Sequence, residues 1–408
     1  MLGRKGPLRD RRRLLSIAGR PEPDPDHHGL DGACLRSRPA RPEGLGNDRA
    51  ARRPAGNRPA SWRAGRIMPE MLQALLRKAF ADGGPRLGFG TGDLYGRDRT
   101  EAPRRLIDSA LDHGFRYIDT ARLYGDGSAE SVIGAALAGR RDKVMLASKV
   151  GILPWRMRSG RRIAHRARRL ARKGGGLARA LIAAPEPAGA LFGAFGPDQL
   201  RRSLETSLKA LRTDYLDILL LHECTPADAL RAETQDFLLR VMQEGKVRHC
   251  GIATTVESTA EILDRRPATI EIVQGPSDAR ERNLPLYRRA SGGFIVTHSA
   301  LKTLLPEIVA RAGADQAYAA RFAEATGTDG RDPAAVATLL LAHALRENGE
   351  GVVLFSTLKP ERAAAVRKAL SDASFGPDQF SALEQAAADL LPARSRPENP
   401  AGLAAQRG

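Results

Sequence analysis

The sequence predicts an α/β protein, a (β/α)8 TIM barrel preceded by a disordered basic N-terminal extension. Three observations carry this. Short apolar runs alternate with amphipathic stretches from Arg86 onward, and strand–helix alternation implies a parallel sheet. Eight such repeats occupy roughly 300 residues, a length that suits a closed barrel. The apolar runs are near-continuous, as strands covered on both faces require. The alternative is an open doubly wound sheet, which usually carries G-x-G-x-x-G at its first strand–helix turn. "GFGTGDLYG" places glycines at 88, 90, 92 and 96 and does not match.

The elements follow in order. "RLGFGTG" (86–92) reads as a strand and glycine loop. "EAPRRLIDSALDHG" (101–114) puts Leu106, Ile107, Ala110 and Leu111 on one helical face and stops at Gly114. "FRYIDTA" (115–121) is a strand, "SAESVIGAAL" (128–137) a helix and "KVMLASKVG" (143–151) a strand. "DQLRRSLETSLKALR" (198–212) is a helix after Pro197, and "DYLDILLLHE" (214–223) is a buried strand followed by a helix to about residue 244. Strand "VRHCGIAT" (247–254), helix "VESTAEILDR" (256–265) and strand "TIEIVQG" (269–275) come next. A helical stretch near 279–291 leads to strand "GGFIVTHSA" (292–300). A helical region runs from Leu301 to Glu347 and includes "DPAAVATLLLAHAL" (332–345), with proline in its first turn. "GVVLFST" (351–357) is the eighth strand, "KPERAAAVRKAL" (359–370) its helix, and a last helix spans about Pro377 to Leu391.

Composition bounds the class. At 408 residues, with 42% hydrophobic and 27% charged, the chain looks like an ordinary soluble globular protein. No apolar run is long enough for a membrane span. Cys34, Cys224 and Cys250 are odd in number and widely spaced. That pattern excludes a disulfide framework and a zinc motif, fits a reducing compartment, and predicts a cytoplasmic protein without metal. Cys224 and Cys250 read as small core hydrophobes.

The net charge of +18 is unevenly placed: residues 1–67 hold fifteen Arg and one Lys against seven acids. This stretch is rich in Arg, Pro and Gly and cannot offset its ordering entropy by burial, so disorder is expected through residue 80. A nucleic-acid tail would want stacking aromatics, and Trp62 stands alone. A signal peptide would want a longer apolar run than "LLSIAG". An over-extended start, with Met68 beginning the chain, is the third reading and the one we adopt. His27–His28 read as solvent-exposed. The barrel is expected over 81–395 and a disordered tail over 396–408. A basic insertion, 152–196, interrupts the rhythm; Arg156–Lys173 holds nine Arg or Lys and no acid. It leaves the end of a strand, so it projects over the C-terminal face. It reads as a lid over an anionic ligand, a solvated insertion, or a footing for nucleic acid or acidic lipid.

Polar groups at the C-terminal ends of barrel strands converge on one pocket. Asp119 ends the second strand with Tyr124 in the following loop, Lys149 ends the third, and His222 ends the fourth. Singly, each has a plain structural reading as turn former, loop packing, strand end or core histidine. Together they make an acid–base set. A phenol titrates too high for easy proton transfer at neutral pH, and a nearby ammonium favours the phenolate. The ammonium needs a counter-charge, which an aspartate provides. A histidine can orient the reacting oxygen. This set aims a proton at a carbonyl oxygen. Side chains cannot donate hydride, so a nicotinamide cofactor is implied.

"GFRYIDTARLYGDGSAESVIGAAL", "LASKVG" and "LRTDYLDILLLHE" resemble the aldo-keto reductase superfamily over roughly residues 86–390. The resemblance implies an NAD(P)H-dependent oxidoreductase that reduces an aldehyde or ketone to an alcohol, or the reverse. Tyr124 would be the general acid, tuned by Lys149 and Asp119, with His222 orienting the carbonyl. The cofactor would be NADP(H), with NAD(H) as the second choice, and the partner a small-molecule carbonyl or alcohol. Membranes and nucleic acids are not expected partners. On the cofactor side, Gln274 matches the family's glutamine. Thr254 stands where an asparagine holds the nicotinamide amide, and His298 where a tyrosine stacks. Phe355–Ser356 stand in the place of a Pro-Gly pair. Lys359 and Arg362 open a helix whose N-terminus suits phosphate, and Arg367 joins them as a candidate for a 2′-phosphate. Ala365–Val366 replace a Glu-Asn pair and remove an adenine contact. The alternative is a non-catalytic relative serving as a nucleotide sensor or partner-binding protein.

Overall fold

A computed structural model describes residues 72–390 apart from 73, 75, 78, 93, 95–100, 155–189, 266 and 289–293. The expected disorder of residues 1–71 and of the 396–408 tail, His27–His28, Cys34 and the Arg156–Lys173 run lie outside the described residues.

The strands are β1 (Leu87–Gly90), β2 (Tyr117–Asp119), β3 (Met145–Val150), β4 (Leu153–Pro154), β5 (Ala190–Leu191), β6 (Leu216–His222), β7 (Val247–Ala253), β8 (Ile272–Pro276), β9 (Phe294–His298) and β10 (Val352–Phe355). Eight of them close a (β/α)8 barrel in the order β1-β2-β3-β6-β7-β8-β9-β10, every pair parallel. β4 and β5 form a small antiparallel pair that brackets the insertion, an element absent from the sequence reading.

The helices are α1 (Ala102–Asp112), α2 (Ala129–Ala136), α3 (Pro197–Leu211), α4 (Pro226–Leu230), α5 (Ala232–Gln243), α6 (Val256–Asp264), α7 (Leu284–Arg288), α8 (Leu304–Ala314), α9 (Gln316–Thr326), α10 (Pro333–Glu347), α11 (Pro360–Asp372) and α12 (Pro377–Asp389). Leu106, Ile107, Ala110 and Leu111 are the buried face of α1, as their spacing requires. Local chemistry explains where the expected elements differ. The helix expected to run to residue 244 is two, because Arg231 is extended and starts α5 afresh. The stretch near 279–291 shrinks to α7, because the Asp278 carboxylate accepts from the backbone of Arg280 and Glu281 and makes a turn instead. The region 301–347 breaks at Asp315, which caps α9, and at Gly327, which is left-handed. No helix among the described residues is long and apolar enough to cross a membrane.

Side chains alternate along each strand. Ile118, Leu146, Leu219 and Leu221 point outward into the large cluster under the helices. Tyr117, Met145, Ala147, Ile218, Leu220, Ile272, Phe294 and Val296 form the interior. Leu72, Leu76, Ala79 and Phe80 join that interior cluster, and the described residues between 72 and 79 are helical. Because the upper ends of the inward rows are polar, this segment closes the floor. The sequence reading ends the extension at residue 80; in the structure Leu72, Leu76, Ala79 and Phe80 pack against the barrel interior. Leu76 is fully buried. Leu76→Ala is expected to cost about 2–5 kcal/mol of stability, read as a lower urea midpoint with an unchanged m-value. An unchanged midpoint would remove the floor from the account.

Candidate active site

The inward rows of the barrel continue upward into polar residues. Tyr117 is followed on its row by Asp119, Ala147 by Lys149, Leu220 by His222, Ile272 by Gln274 and Val296 by His298. The apolar layers fill the interior, and the next layer up is the site.

Tyr124 arrives by another route. It opens a short helical turn after β2 in which Gly125 (φ 58°, ψ 32°) and Asp126 (φ 55°, ψ 38°) are both left-handed. At Gly125 a Cβ would lie 2.0 Å from the Leu94 carbonyl oxygen, so only glycine fits. The turn is tied by the Ser128 hydroxyl donating to the Gly125 carbonyl at 2.6 Å.

Lys149 is the hub. Its Nζ donates to both Asp119 carboxylate oxygens at 2.7 Å, to the Thr120 carbonyl at 3.1 Å and to Tyr124 Oη at 3.2 Å. The Tyr124 and His222 rings meet edge to face with centroids 6.0 Å apart. The four residues expected to act together are therefore gathered on one side of the mouth. Thr91 completes their frame and was not among the expected residues. Its amide and hydroxyl both donate to the Asp119 carbonyl, at 3.0 and 2.8 Å.

Burial governs the titrations. It raises Asp119 despite the pull of Lys149 and of the Gln274 side chain. It pushes Lys149 down, but Asp119, Tyr124 and the hydrogen bonds to them carry the lysine above its ordinary value. The sequence reading has Lys149 lowering Tyr124. That pull exists, but burial outweighs it, and Tyr124 titrates above an ordinary tyrosine. Burial, Lys149 and His298 lower His222 to about 3, and burial, Lys149 and Lys302 lower His298 to about 4. Both imidazoles are neutral near pH 7.

Beside this set lie a buried unsatisfied acceptor and a cavity lined by two cations, features that fit an anionic ligand carrying a hydrogen-bond donor. Gln274 is buried beside Asp119, and its Oε1 is a buried acceptor with no hydrogen-bond partner. A cavity of about 390 Å³ lies between the ends of β1 and β10, lined by Gly90, Thr91, Ser356, Thr357, Lys359 and Arg362 among others. Thr91 joins this cavity to the Asp119 side. At Gly90 a Cβ would stand 2.5 Å from the Ser356 hydroxyl, so the glycine keeps the two strand ends close. Lys359 precedes α11, whose N-terminus has no side-chain cap. Pro360 has no amide proton, and the Lys359 and Arg362 amides donate to Thr357 Oγ1 and the Lys359 carbonyl, so an anion here would be met chiefly by the Lys359 and Arg362 side chains. Two expectations change. The Thr254 hydroxyl donates to the Cys224 carbonyl at 2.7 Å, so its single donor is already committed. Arg367 is not at the cavity. It donates to the Pro85 and Gly114 carbonyls at 3.4 and 3.2 Å and pairs with Asp82 at 3.0 Å. His343, Glu347 and Glu384 gather elsewhere, but Arg282 pairs with both carboxylates and already supplies the counter-charge.

A sequence profile of the aldo/keto reductase family matches residues 86–388. Among curated relatives, aldo-keto reductase YhdN of Bacillus subtilis is 29% identical over 207 residues, 49% of this chain and 52% of the relative. Methylglyoxal reductase YeaE of Escherichia coli is 29% identical over 172 residues, 41% of this chain and 45% of the relative. The chain spans about half the length of these relatives. Among solved structures, the holo form of an aldo-keto reductase from Bacillus halodurans shares the fold with a TM-score of 0.56 at 22% identity, covering 74% of this chain and 92% of that one. An aldo/keto reductase from Klebsiella pneumoniae, solved with NADP and acetate, gives 0.51 at 24% identity, covering 74% and 91%. With the matching profile spanning most of a barrel whose mouth carries Asp119, Tyr124, Lys149 and His222, the chain belongs to the aldo/keto reductase family.

Proposed function

We propose that this chain is an NADPH-preferring oxidoreductase that reduces a small aldehyde or ketone to its alcohol, or runs the reverse, with Tyr124 as the proton donor. The observation that carries the reading is one ammonium shared between a buried carboxylate and a phenol: Lys149 Nζ is 2.7 Å from Asp119 and 3.2 Å from Tyr124 Oη.

Each residue has a role on this reading. Tyr124, held above the ordinary tyrosine value by burial, is protonated across the neutral range and has a proton to give. As negative charge grows on the carbonyl oxygen, the phenol donates to it. Lys149 then stabilises the phenolate left behind, and Asp119 keeps Lys149 charged in a buried place. His222, neutral near pH 7, can hydrogen-bond the same oxygen and fix its approach. Gln274, His298, Ser356, Lys359 and Arg362 would hold the dinucleotide, which supplies hydride when bound. Methylglyoxal, named for the Escherichia coli relative, is a reasoned first substrate.

With purified protein, NADPH and methylglyoxal, Tyr124→Phe is expected to lower kcat by about 10²–10⁴-fold while NADPH binding by fluorescence stays near wild type. Equal turnover by the variant would overturn the assignment. Lys359→Ala and Arg362→Ala should weaken NADPH more than NADH, whereas Arg367→Ala should lower the melting temperature without that discrimination. The histidines give a signed pH test. Both titrate lower folded than unfolded, at about 3 and about 4. The stability they hold is present above about pH 6.5 and lost as pH falls toward those values. Between about pH 6.5 and 4 the wild-type melting temperature should therefore fall more steeply than that of His222→Gln/His298→Gln. Parallel slopes would show that the imidazoles are not held neutral.

A further inference from the structure

Glu130 is a buried carboxylate that the catalytic set above does not use. It sits in the first turn of α2 and is 1% exposed. One of its oxygens accepts from the Ser148 hydroxyl at 2.7 Å, and the other accepts from the Arg122 guanidinium at 3.3 Å. Both partners have telling addresses. Ser148 is the residue before Lys149 on β3. Because side chains alternate along a strand, Ser148 faces outward to α2 while Lys149 faces inward to the site. Arg122 lies between Asp119 and Tyr124, two residues before the phenol. Glu130 thus grips, from outside the barrel wall, the strand that presents the lysine and the segment that presents the tyrosine.

The Tyr124 turn needs such a grip. Two consecutive left-handed residues, Gly125 and Asp126, follow the tyrosine; glycine and aspartate tolerate that conformation singly, but a pair in succession is uncommon and needs its surroundings to hold it. A buried carboxylate also demands a counter-charge. That makes the choice of Arg122 specific: the guanidinium can satisfy Glu130 only if the segment runs where it does.

We infer that Glu130 is a positioning residue, which locks the Tyr124 turn to β3 and thereby sets the contact between Lys149 Nζ and Tyr124 Oη. The inference rests on the proposed function for its kinetic consequence, but its geometric content stands alone. Glu130→Gln keeps an acceptor for Ser148 and removes the charge that Arg122 answers. In that variant, kcat for methylglyoxal with NADPH should fall about 10- to 100-fold, the scale of a small misplacement of a reacting group, with the KM for NADPH little changed. A merely structural role would lower the melting temperature and leave kcat of the folded enzyme alone. The double variant with Tyr124→Phe separates the two further. If Glu130 acts through Tyr124, adding Glu130→Gln to Tyr124→Phe costs little more; a full multiplicative loss overturns the inference. The readout independent of turnover is a crystal structure of Glu130→Gln, in which the 3.2 Å Nζ–Oη separation lengthens beyond hydrogen-bond reach or the tyrosine ring takes several positions. An unchanged contact overturns the inference even if activity drops. Should wild-type protein turn over none of the carbonyls tried, the proposed reaction falls while the crystallographic comparison still decides the positioning. If Glu130→Gln does not fold, Ser148→Ala and Arg122→Met make the same comparison from the partner side.

Discussion

Lys149 is a full positive charge in the wall of a barrel, and what surrounds the mouth follows from keeping it there. A buried ammonium is tolerated only when paired and hydrogen-bonded. Asp119 does the pairing, and its own backbone carbonyl is held by Thr91. The ammonium has three donors, yet four oxygens lie within reach: two of Asp119, the Thr120 carbonyl and Tyr124 Oη. The donors are therefore shared, and the tyrosine is the most distant claimant. A phenolate there would compete better than a phenol. In the proposed reaction the contact would tighten as the proton leaves, so that the stabilisation would fall on the chemistry rather than on the resting state.

The same charge accounts for the neutrality of what faces it. Lys149 is among the causes that lower both His222 and His298, after burial. Burial, reinforced by this cation, thus keeps two imidazoles uncharged, leaving one positive centre, one carboxylate and one phenol as the titrating core. Burial acts on all of them in one direction, against charge. This is why Tyr124 departs from the simple expectation that a neighbouring lysine lowers a phenol. The lysine lowers the cost of the phenolate when it forms, while the dry surroundings keep the phenol protonated until it does.

Much of this was legible before any coordinates. Strand rows that fill a barrel must alternate, and "YID", "MLASK", "LDILLLH" and "FIVTH" each end an apolar row on a polar residue. Any one such ending has a plain structural reading; four of them at the C-terminal ends of barrel strands are what expose the site in the sequence. What escaped was set by longer-range packing. Leu72, Leu76 and Phe80 are spaced four apart, a helical signal, but the basic stretch before them masked it until the interior cluster showed where they pack. The left-handed pair after Tyr124 was hidden because Asp126 is not glycine. The partner of Glu130 was hidden because Arg122 and Ser148 lie on different elements.

Arg367 shows why the cofactor side was harder to read than the catalytic side. Asp119, Lys149 and His222 sit on strands, where an inward position and a strand end together fix a location to within a residue. Arg367 sits on a helix, where location depends on distance along the axis as well as on face. It lies eight residues beyond Lys359, about 12 Å at 1.5 Å per residue, so α11 carries it away from the barrel mouth and toward the opposite end. There it meets the Pro85 carbonyl just before β1, the Gly114 carbonyl before β2, and Asp82. Arg362, one turn in, remains at the cavity with Lys359. Charge counting along a helix overestimates an anion site unless each residue is also placed on the axis. Two cations face this cavity, while the third cation fastens the far end of α11 to the base of the barrel.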